Sequence, residues 1–496
     1  MRRPARLLAL SAIATSIALP LVAVAQDEGS TPEAAAETAG ATSGEGGAEG
    51  TSEGEGEGEE AVEEDDGPPV YDLGQLIRAA EKGYPGVRAA EARIRAARAQ
   101  LDEAWVSPYF QSVVTAGFTL APEARGSPIF SPDAQVPISN PWQPVVLFNF
   151  EGAIPLWTFG KLGAAREAAR AGIRAQESDR NRVRNQLLYD VRRAYFSLQL
   201  ALDVQQMLHE GVPQLERAIE RTEDRLAQGD PEVEEIDRFR LSTALAEVRA
   251  RQAQVVHLER SSRAALQILT GVRVFRVPDC PIEVVDTNLR PLDTYLRSAS
   301  SDRPEVRMLE AAQRAREASL DFARAGFWPD IALTYRFAIS YAPGITDQTN
   351  PFIIDPANYM NIGAGIALRW SLDFWGNAYR VDRESALVDD VRARFEEARR
   401  GMELEVTDAY ETVVEAQARE EAYRRGTRDA RAWLITAAQA SDVGAGDANE
   451  LVDAVRAYFT ARFSHLQAIA DMNTALANLE RTAAMRVTER WEQDCD

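Results

Sequence analysis

The chain has 496 residues, with 77 acidic and 55 basic side chains and a formal net charge of −22. The excess of acidic residues argues against the basic surface that nucleic-acid binding needs. The sequence carries no histidine, cysteine or glycine motif of a metal, nucleotide or covalent-catalysis site, so we expect no cofactor and no enzymatic activity.

The first 25 residues have the pattern of a secretory signal peptide. Three arginines within the first six residues precede an apolar segment, and residues 23–25 (AVA) form a small-x-small cleavage site. The apolar segment is shorter than the roughly 20 residues of a membrane-spanning helix, which makes a retained anchor the less favoured alternative. We therefore expect the mature chain to be exported.

Residues 26–69 form an acidic segment. Fifteen Asp or Glu residues, and no Lys or Arg, fall between positions 27 and 66. Such a composition cannot bury enough apolar surface to offset the entropy lost on ordering, so the sequence predicts disorder here. The rest of the mature chain is only moderately acidic.

The remaining chain repeats one order of features twice. We predict repeat 1 over 70–271 and repeat 2 over 301–485, each with an opening helix, two strands, a long helix, a turn and a second long helix. Matching segments, such as 84–104 and 303–323, lie roughly 215 to 221 positions apart. Residues 272–300 are predicted to link the repeats, and 486–496 to form a C-terminal tail.

Each repeat contains two segments in which apolar residues alternate with small or polar ones. The predicted strands are about 109–120 and 143–156 in repeat 1, and about 330–341 and 361–372 in repeat 2. Alternation with period two is typical of a strand with one apolar face, and we expect Ile154 and Leu156 on that face. These lengths approach the roughly 9 to 11 residues of a tilted membrane strand.

Two features favour membrane strands over a half-buried sheet in a soluble domain, which would alternate in the same way. Six of the eight tryptophans lie at or near predicted strand ends, where a membrane barrel has its aromatic girdle. These are Trp105, Trp142, Trp157, Trp328, Trp370 and Trp375. Arg336 and Arg369 lie on the polar face, which we expect to line a watery lumen.

Four strands cannot close a barrel, and an open sheet edge in lipid leaves backbone groups unpaired. Several chains must therefore share one barrel.

Two very long helices are predicted between glycines. The spans Gly160–Gly229 and Gly376–Gly444 contain a single proline, Pro213, and each would reach roughly 100 Å at about 1.5 Å per residue. We expect Gly160 and Gly376 to release the strands into the helices. The spacing of an apolar stripe indicates a coiled-coil seam; its members are Leu188, Val191, Tyr195, Leu198 and Leu202.

The turns after the long helices, about 227–234 and 441–449, are the predicted functional tips. Their glycines and first acids are Gly229, Asp230, Gly444, Gly446 and Asp447. Asp230 and Asp447 also suit helix N-caps, which is a purely structural alternative. Glu450 and Asp453 are three residues apart and therefore lie on one helix face.

The two cysteines, Cys280 and Cys495, would meet oxidising conditions in an exported protein. A disulfide between the C-terminus and the middle of the chain and a pair of free thiols are both open alternatives, and two cysteines do not decide between them.

The order of these features resembles the TolC-like outer-membrane efflux family over about residues 70–485. The resemblance rests on Pro-x-Val-Arg at 85–88 and 304–307, on Pro108 and Pro329 before strands, and on the Gly-Asp tips. It also includes PLWTFGK at 155–161, AYFSL at 194–198 and LQILTG at 266–271. Each piece alone is weak, but the order is specific because much of it occurs twice.

The resemblance implies a mixed α and β membrane protein with two tandem structural repeats. Each chain of a homotrimer would give four strands to a 12-stranded β-barrel, in contact with outer-membrane lipid of a Gram-negative bacterium. Its helices would form a coiled-coil tunnel in the periplasm. The implied function is a passive exit duct for small molecules or secreted protein, in a tripartite efflux or type I secretion system. The alternative is a secreted, soluble coiled-coil scaffold.

The resemblance also assigns roles to the tips. Gly229, Asp230, Gly444 and Gly446 would contact a periplasmic adaptor protein, itself bound to an inner-membrane transporter. Glu450, Asp453 and Asp447 would line the closed periplasmic entrance as a gate. The match is imperfect, because Glu450 stands where Asp is common in the family.

Overall fold

The structure, a computed structural model, describes residues 68–491 apart from 110, 127–136, 230–232, 349, 351, 353–354, 356 and 443–447. The predicted signal peptide and nearly all of the acidic segment lie outside the described residues. So do five of the predicted site residues, namely Asp230, Gly444, Gly446, Asp447 and Cys495.

Helices make up most of the described chain. They are α1 (Leu73–Gly83), α2 (Pro85–Val106), α3 (Lys161–Ala227), α4 (Glu235–Thr270), α5 (Leu292–Asp302), α6 (Pro304–Ala325), α7 (Phe374–Asp442) and α8 (Ala448–Ala483). Their lengths match in pairs: α2 and α6 have 22 residues each, α4 and α8 have 36 each, and α3 and α7 have 67 and 69. Helix α3 runs through Pro213 without ending.

None of the described helices has an apolar segment long enough to cross a bilayer.

Four strands form one antiparallel sheet in the order β1-β2-β3-β4. Their bounds are β1 (Gln111–Pro122), β2 (Trp142–Trp157), β3 (Asp330–Tyr341) and β4 (Tyr359–Arg369). The register aligns the four alternating patterns, since Phe148 pairs with Ala116 on one side and Ile339 on the other, and Ile339 pairs with Met360. The sheet therefore has one apolar face and one face of small and polar residues.

A bulge near the end of β2 corrects one prediction. Pro155 pairs with Ala332, but Ile331 pairs with Trp157, so Leu156 has no register partner. An extra residue in one strand turns the following side chain to the other face. Trp157, rather than Leu156, therefore shares the apolar face with Ile331.

The two strand-to-helix junctions are built differently, although the sequence suggests that they are alike. Gly160 is the N-cap of α3 and has φ +95, a conformation that favours glycine. Strand β4 ends at Arg369, three residues earlier than predicted, and α7 begins at Phe374, before Gly376. The Asp373 carboxylate accepts the Gly376 N–H at 3.0 Å and so performs the capping. The prediction that Gly376 starts the helix is wrong.

The buried core lies between the helices and has two main clusters. One joins α1, α3, α4 and residues 275–285, and it contains the predicted stripe residues Val191, Tyr195 and Leu198. The other joins α5, α7 and α8 around Tyr295. Trp491, in the segment after α8, packs against both clusters. We call the region of α1, α5, residues 272–291 and residues 484–491 the belt.

Candidate functional site

The apolar face of the sheet is exposed to a degree that a soluble surface does not explain. Phe118 is 72% exposed, Ile362 77% and Ile366 74%. On the opposite face of β4, Gly363 and Gly365 alternate with these side chains. Exposed apolar patches of this kind mark interaction or membrane surfaces.

Five of the six tryptophans mark the end of the sheet next to the helices. Trp157 ends β2, Trp328 and Trp370 lie within two residues of β3 and β4, and Trp375 is the second residue of α7. Trp105 is in α2, where the guanidinium of Arg166 lies 3.8 Å from its ring centroid. The sixth, Trp142, begins β2 at the opposite end, next to the loops.

The helix end of the sheet, which we call the rim, is held by contacts that sequence reasoning missed. The Lys161 ammonium lies 2.8 Å from the Asp330 carboxylate and donates to the Trp328 carbonyl oxygen at 3.2 Å. Phe159 stacks on Trp328 with ring centroids 5.5 Å apart, and Trp157 meets Phe159 edge-on. The signal was present in the sequence, since Lys161 is the charged residue that follows the Trp-Thr-Phe-Gly segment.

Arg336 and Arg369 lie on the same face of the sheet. Arg336 pairs with Glu151 of β2 and with Gly363 of β4, and Arg369 pairs with Asp330. Both arginines are exposed. This face therefore carries charges of both signs next to glycines, which is a suitable lining for water.

The first helical tip follows α3, which ends at Ala227. Gly229 has φ +72 and donates its N–H to the Leu226 carbonyl, so it turns the chain away from the helix axis. Asp230 was predicted as an N-cap, but the N-cap of α4 is Glu234, whose N–H is accepted by Asp237 at 3.2 Å. The capping prediction for Asp230 is wrong because the turn is longer than expected.

The second tip precedes α8, which begins at Ala448. Glu450 and Asp453 are both exposed on its first two turns. Asp453 lies near Arg456, which contacts Glu247 of α4 at 2.7 Å. The hydrogen bond that Arg456 donates to Glu247, together with the negative charges of Glu247 and Asp453, raises the pKa of Arg456. The two hairpins are thus connected close to their tips.

Two apolar side chains near the first tip were not predicted from the sequence. Ile236 and Phe239 in the first turns of α4 are 49% and 53% exposed. They lie three residues apart and so share a helix face. Their spacing directly after an acidic turn is the signal that could have identified them.

An ion-pair cluster connects α6, α7 and α8 beside the belt. Arg303 is 4% exposed and contacts both Glu305, at 3.1 Å, and Glu405, which also contacts Arg481 at 3.1 Å. Burial acts to raise the pKa of Glu405, but the charges and hydrogen bonds of Arg303 and Arg481 outweigh it, and the pKa is lowered. Glu405 is therefore held ionised between two cations.

Cys280 is disulfide-bonded, which contradicts the free-thiol alternative for this residue. Cys495 lies outside the described residues, so its pairing with Cys280 stays a hypothesis. Within residues 68–491, less the gaps given above, no three His, Cys, Asp or Glu side chains gather as a metal site.

Comparisons with known proteins extend this picture. A sequence model of the family described as "Outer membrane efflux protein" matches residues 76–272 and 295–484. The probable outer membrane lipoprotein SilC of Salmonella typhimurium is 25% identical over 267 residues, which are 53% of this chain and 54% of SilC. The cation efflux system protein CusC of Escherichia coli O157:H7 is 24% identical over 349 residues, 68% of this chain and 70% of CusC. The chain thus spans about half the length of SilC and somewhat over two thirds of CusC.

Solved structures share the fold. A crystal structure of CusC superposes with a TM-score of 0.68 at 19% identity, covering 85% of this chain and 95% of CusC. The open-state outer membrane channel MtrE of Neisseria gonorrhoeae gives a TM-score of 0.68 at 18% identity, covering 85% of this chain and 91% of MtrE. The predicted combination of long helices with a four-stranded sheet is therefore confirmed. Because the family model covers most of the sequence, the chain belongs to the outer membrane efflux protein family.

Proposed function

We propose that this protein is the outer-membrane exit duct of a tripartite efflux or type I secretion system. Three copies form one 12-stranded β-barrel and a helical tunnel through the periplasm. The duct is not an enzyme. It is a passive conduit, because the energy for transport comes from an inner-membrane transporter. Its cargo is a small molecule or a secreted protein.

The observation that carries this proposal is the open sheet. In the described sheet, β1 and β4 each have one edge without a partner strand, and the apolar side chains of β4 are exposed along its length. In lipid, each unpaired backbone group costs several kcal/mol, so a membrane sheet must close on itself. Joining β4 of one copy to β1 of the next satisfies both edges and leaves the apolar face towards lipid.

The helices support the same assembly. Helix α3 packs against both α2 and α6, whereas α7 packs against α6 and makes no comparable contact with α2 within the described part of the chain. Helix α7 also exposes large apolar side chains, including Tyr379 and Leu404, each at 71%. If the two halves are repeats, α7 is the counterpart of α3, and α2 of a neighbouring copy is its missing partner.

The tips are the contact site for a periplasmic adaptor protein. Gly229 lies at the first turn, and we assign Asp230, Gly444 and Gly446 to the same contact. The exposed Ile236 and Phe239 add an apolar patch beside the first turn. A helical hairpin of the adaptor could bury this patch in a groove between helices. The adaptor in turn connects the duct to the transporter.

The entrance is closed by acids of the second tip. Glu450 and Asp453 project from one face of α8, and three copies bring six such carboxylates together with those of Asp447. Like charges at close range repel and attract divalent cations. Adaptor binding opens the entrance if its contacts favour the open state over the closed one.

The secreted, soluble scaffold is the competing function, and family membership favours the duct. The test is to express the full chain in a Gram-negative host, fractionate its membranes and record from planar bilayers. The duct predicts protein in the detergent-resistant outer-membrane fraction, heat-modifiable gel migration and discrete ionic conductance. Recovery of the protein from the soluble fraction, with no conductance, would support the scaffold.

A further inference from the structure

A cavity of about 270 Å³ lies in the belt, away from the tips and the sheet. It is lined by the start of α1, the middle of α3, the end of α8 and residues 486–491, and it is open on one side. The segment after α8 is fixed here by a backbone bridge between Thr488 and Thr287 and by Trp491, which packs between the two core clusters. The cavity is therefore a built feature of the belt.

Two buried polar groups that line the cavity have no hydrogen-bond partner. Arg192 is 8% exposed and Thr488 is 5% exposed. The Arg192 Nε and the Thr488 Oγ1 are both without a partner. A buried donor left unpaired costs about 1 to 3 kcal/mol, so an acceptor supplied from the cavity would stabilise both groups.

Glu480 does not supply the missing acceptor. Its Oε1 binds the Arg192 Nη1 at 2.8 Å, and its Oε2 accepts the Trp491 indole N–H at 3.2 Å. The Trp491 ring also lies 4.2 Å from the Arg192 guanidinium carbon. This arrangement fixes the guanidinium plane and leaves its Nε edge unpaired.

A second cation lies close to the first. Arg486 lines the cavity, is exposed and has no ion pair or hydrogen bond within the described part of the chain. Burial lowers the pKa of Arg192, the charge and hydrogen bond of Glu480 oppose this, and the charge of Arg486 lowers it further. Two arginines that repel each other across a cavity are stabilised by an anion between them.

The start of α1 adds backbone donors. Leu73 and Gly74 line the cavity as the first two residues of this 11-residue helix. The Asp72 side chain caps only the Gln75 N–H, and the N–H groups of Leu73 and Gly74 have no acceptor among the described residues. The free N–H groups and the positive end of the helix dipole both favour an anion.

We propose that the belt cavity binds a small oxyanion, a carboxylate or a phosphate, between Arg192, Arg486, Thr488 and the start of α1. Guanidinium groups and helix N-termini are the donors that such anions prefer in proteins. The cavity admits a molecule of a few heavy atoms and no polymer. The bound anion connects α1, α3 and the segment after α8, so it stabilises the belt.

The experiment uses the purified full chain in detergent, titrated with inorganic phosphate or malonate against chloride at matched ionic strength. Thermal unfolding and calorimetry are the readouts. Saturable binding of either oxyanion, with a raised unfolding temperature, is expected, and the preferred one identifies the ligand class. Stabilisation by chloride to the same extent would overturn the proposal, since that is a general salt effect.

Two variants and one control localise the site. Arg486→Gln removes an exposed cation without disturbing the core, and Thr488→Val keeps the shape of the side chain but removes its hydroxyl. Each is expected to weaken oxyanion binding about tenfold, as expected for one charge-assisted or well-aligned hydrogen bond. Arg400→Gln, on an exposed position of α7, should bind like the wild type. Unchanged binding by Arg486→Gln would also overturn the assignment.

Discussion

Lys161, the first residue of α3, forms an ion pair of 2.8 Å with Asp330, the first residue of β3. The two residues are 169 positions apart and belong to different predicted repeats. Both are largely shielded, at 19% and 29% exposure, and the Lys161 ammonium also binds the Trp328 carbonyl. This contact joins the first long helix to the middle of the sheet at the rim.

Lys161→Met should therefore destabilise the protein by about 1 to 3 kcal/mol, because Asp330 and a backbone carbonyl each lose a charged donor. The measurement is thermal or denaturant unfolding in detergent. Lys82→Met is the matched control, since Lys82 has no ion pair among the described residues. Equal stability of the two variants would show that the rim contact contributes nothing.

The two faces of β4 should respond oppositely to a charge. Ile362→Lys places an ammonium on the apolar face and should cost about 2 to 4 kcal/mol near the middle of the bilayer, which lowers the amount of protein in the outer membrane. Gly363→Lys is the control, since a side chain there meets nothing within 4 Å. Quantitative fractionation measures both. If Gly363→Lys is the more harmful change, the lipid and lumen faces have been assigned the wrong way round.

The gate acids can be tested in reconstituted bilayers. Glu450→Ala combined with Asp453→Ala should change conductance and weaken its block by divalent cations, because the charges that repel one another and bind the cations are gone. Glu489→Ala, which removes an exposed acid in the belt, should conduct like the wild type. An unchanged divalent block in the double variant would remove these residues from the entrance.

The Glu405 cluster predicts how stability depends on pH. The folded-state pKa of Glu405 is lowered, so its contribution is fully present above its unfolded pKa of about 4.5 and is lost as the pH falls through the lower folded value. Glu405→Gln should therefore lower the unfolding temperature at pH 7, and the difference from wild type should shrink as the pH falls below about 4.5.

Glu403→Gln is the control for this pH series. Glu403 is exposed and its only ion pair within the described part of the chain is with Arg399 on the same helix, at 3.4 Å. Its effect should be small at every pH. A Glu405→Gln difference that does not change between pH 7 and pH 3.5 would mean that the carboxylate charge is not what stabilises the cluster.

The sequence predicted the features that depend on local periodicity. Alternation in β1 to β4 predicted two faces, and the glycine spacing predicted helices of nearly the observed length, because both follow from neighbouring residues alone. The bulge after Pro155, the Asp373 cap and the Glu234 cap were missed because several side chains compete for each role and tertiary packing selects one. The Lys161 contact with Asp330 depends on packing between the two halves, which no local pattern encodes.

In the proposed assembly, three chains close one barrel through β4 of one copy and β1 of the next. The register between β2 and β3 pairs Glu151 with Arg336. The repeat counterpart of Glu151 lies roughly 216 residues later, at Ala367 of β4, and that of Arg336 lies roughly 221 residues earlier, at Thr115 of β1. The same register therefore pairs Ala367 of one copy with Thr115 of the next. Both side chains are then on the water-facing side of the sheet, where an aqueous oxidant reaches them.

The most direct measurement is disulfide cross-linking of Thr115→Cys with Ala367→Cys, in a chain whose own two cysteines are replaced by serine. A barrel shared by three chains predicts a non-reducing gel with monomer, dimer and trimer and no larger species, because the ring closes at three. Thr115→Cys with Gly363→Cys, displaced by four residues or roughly 13 Å, should not cross-link. A ladder beyond the trimer, or no cross-link between chains, would contradict the shared barrel.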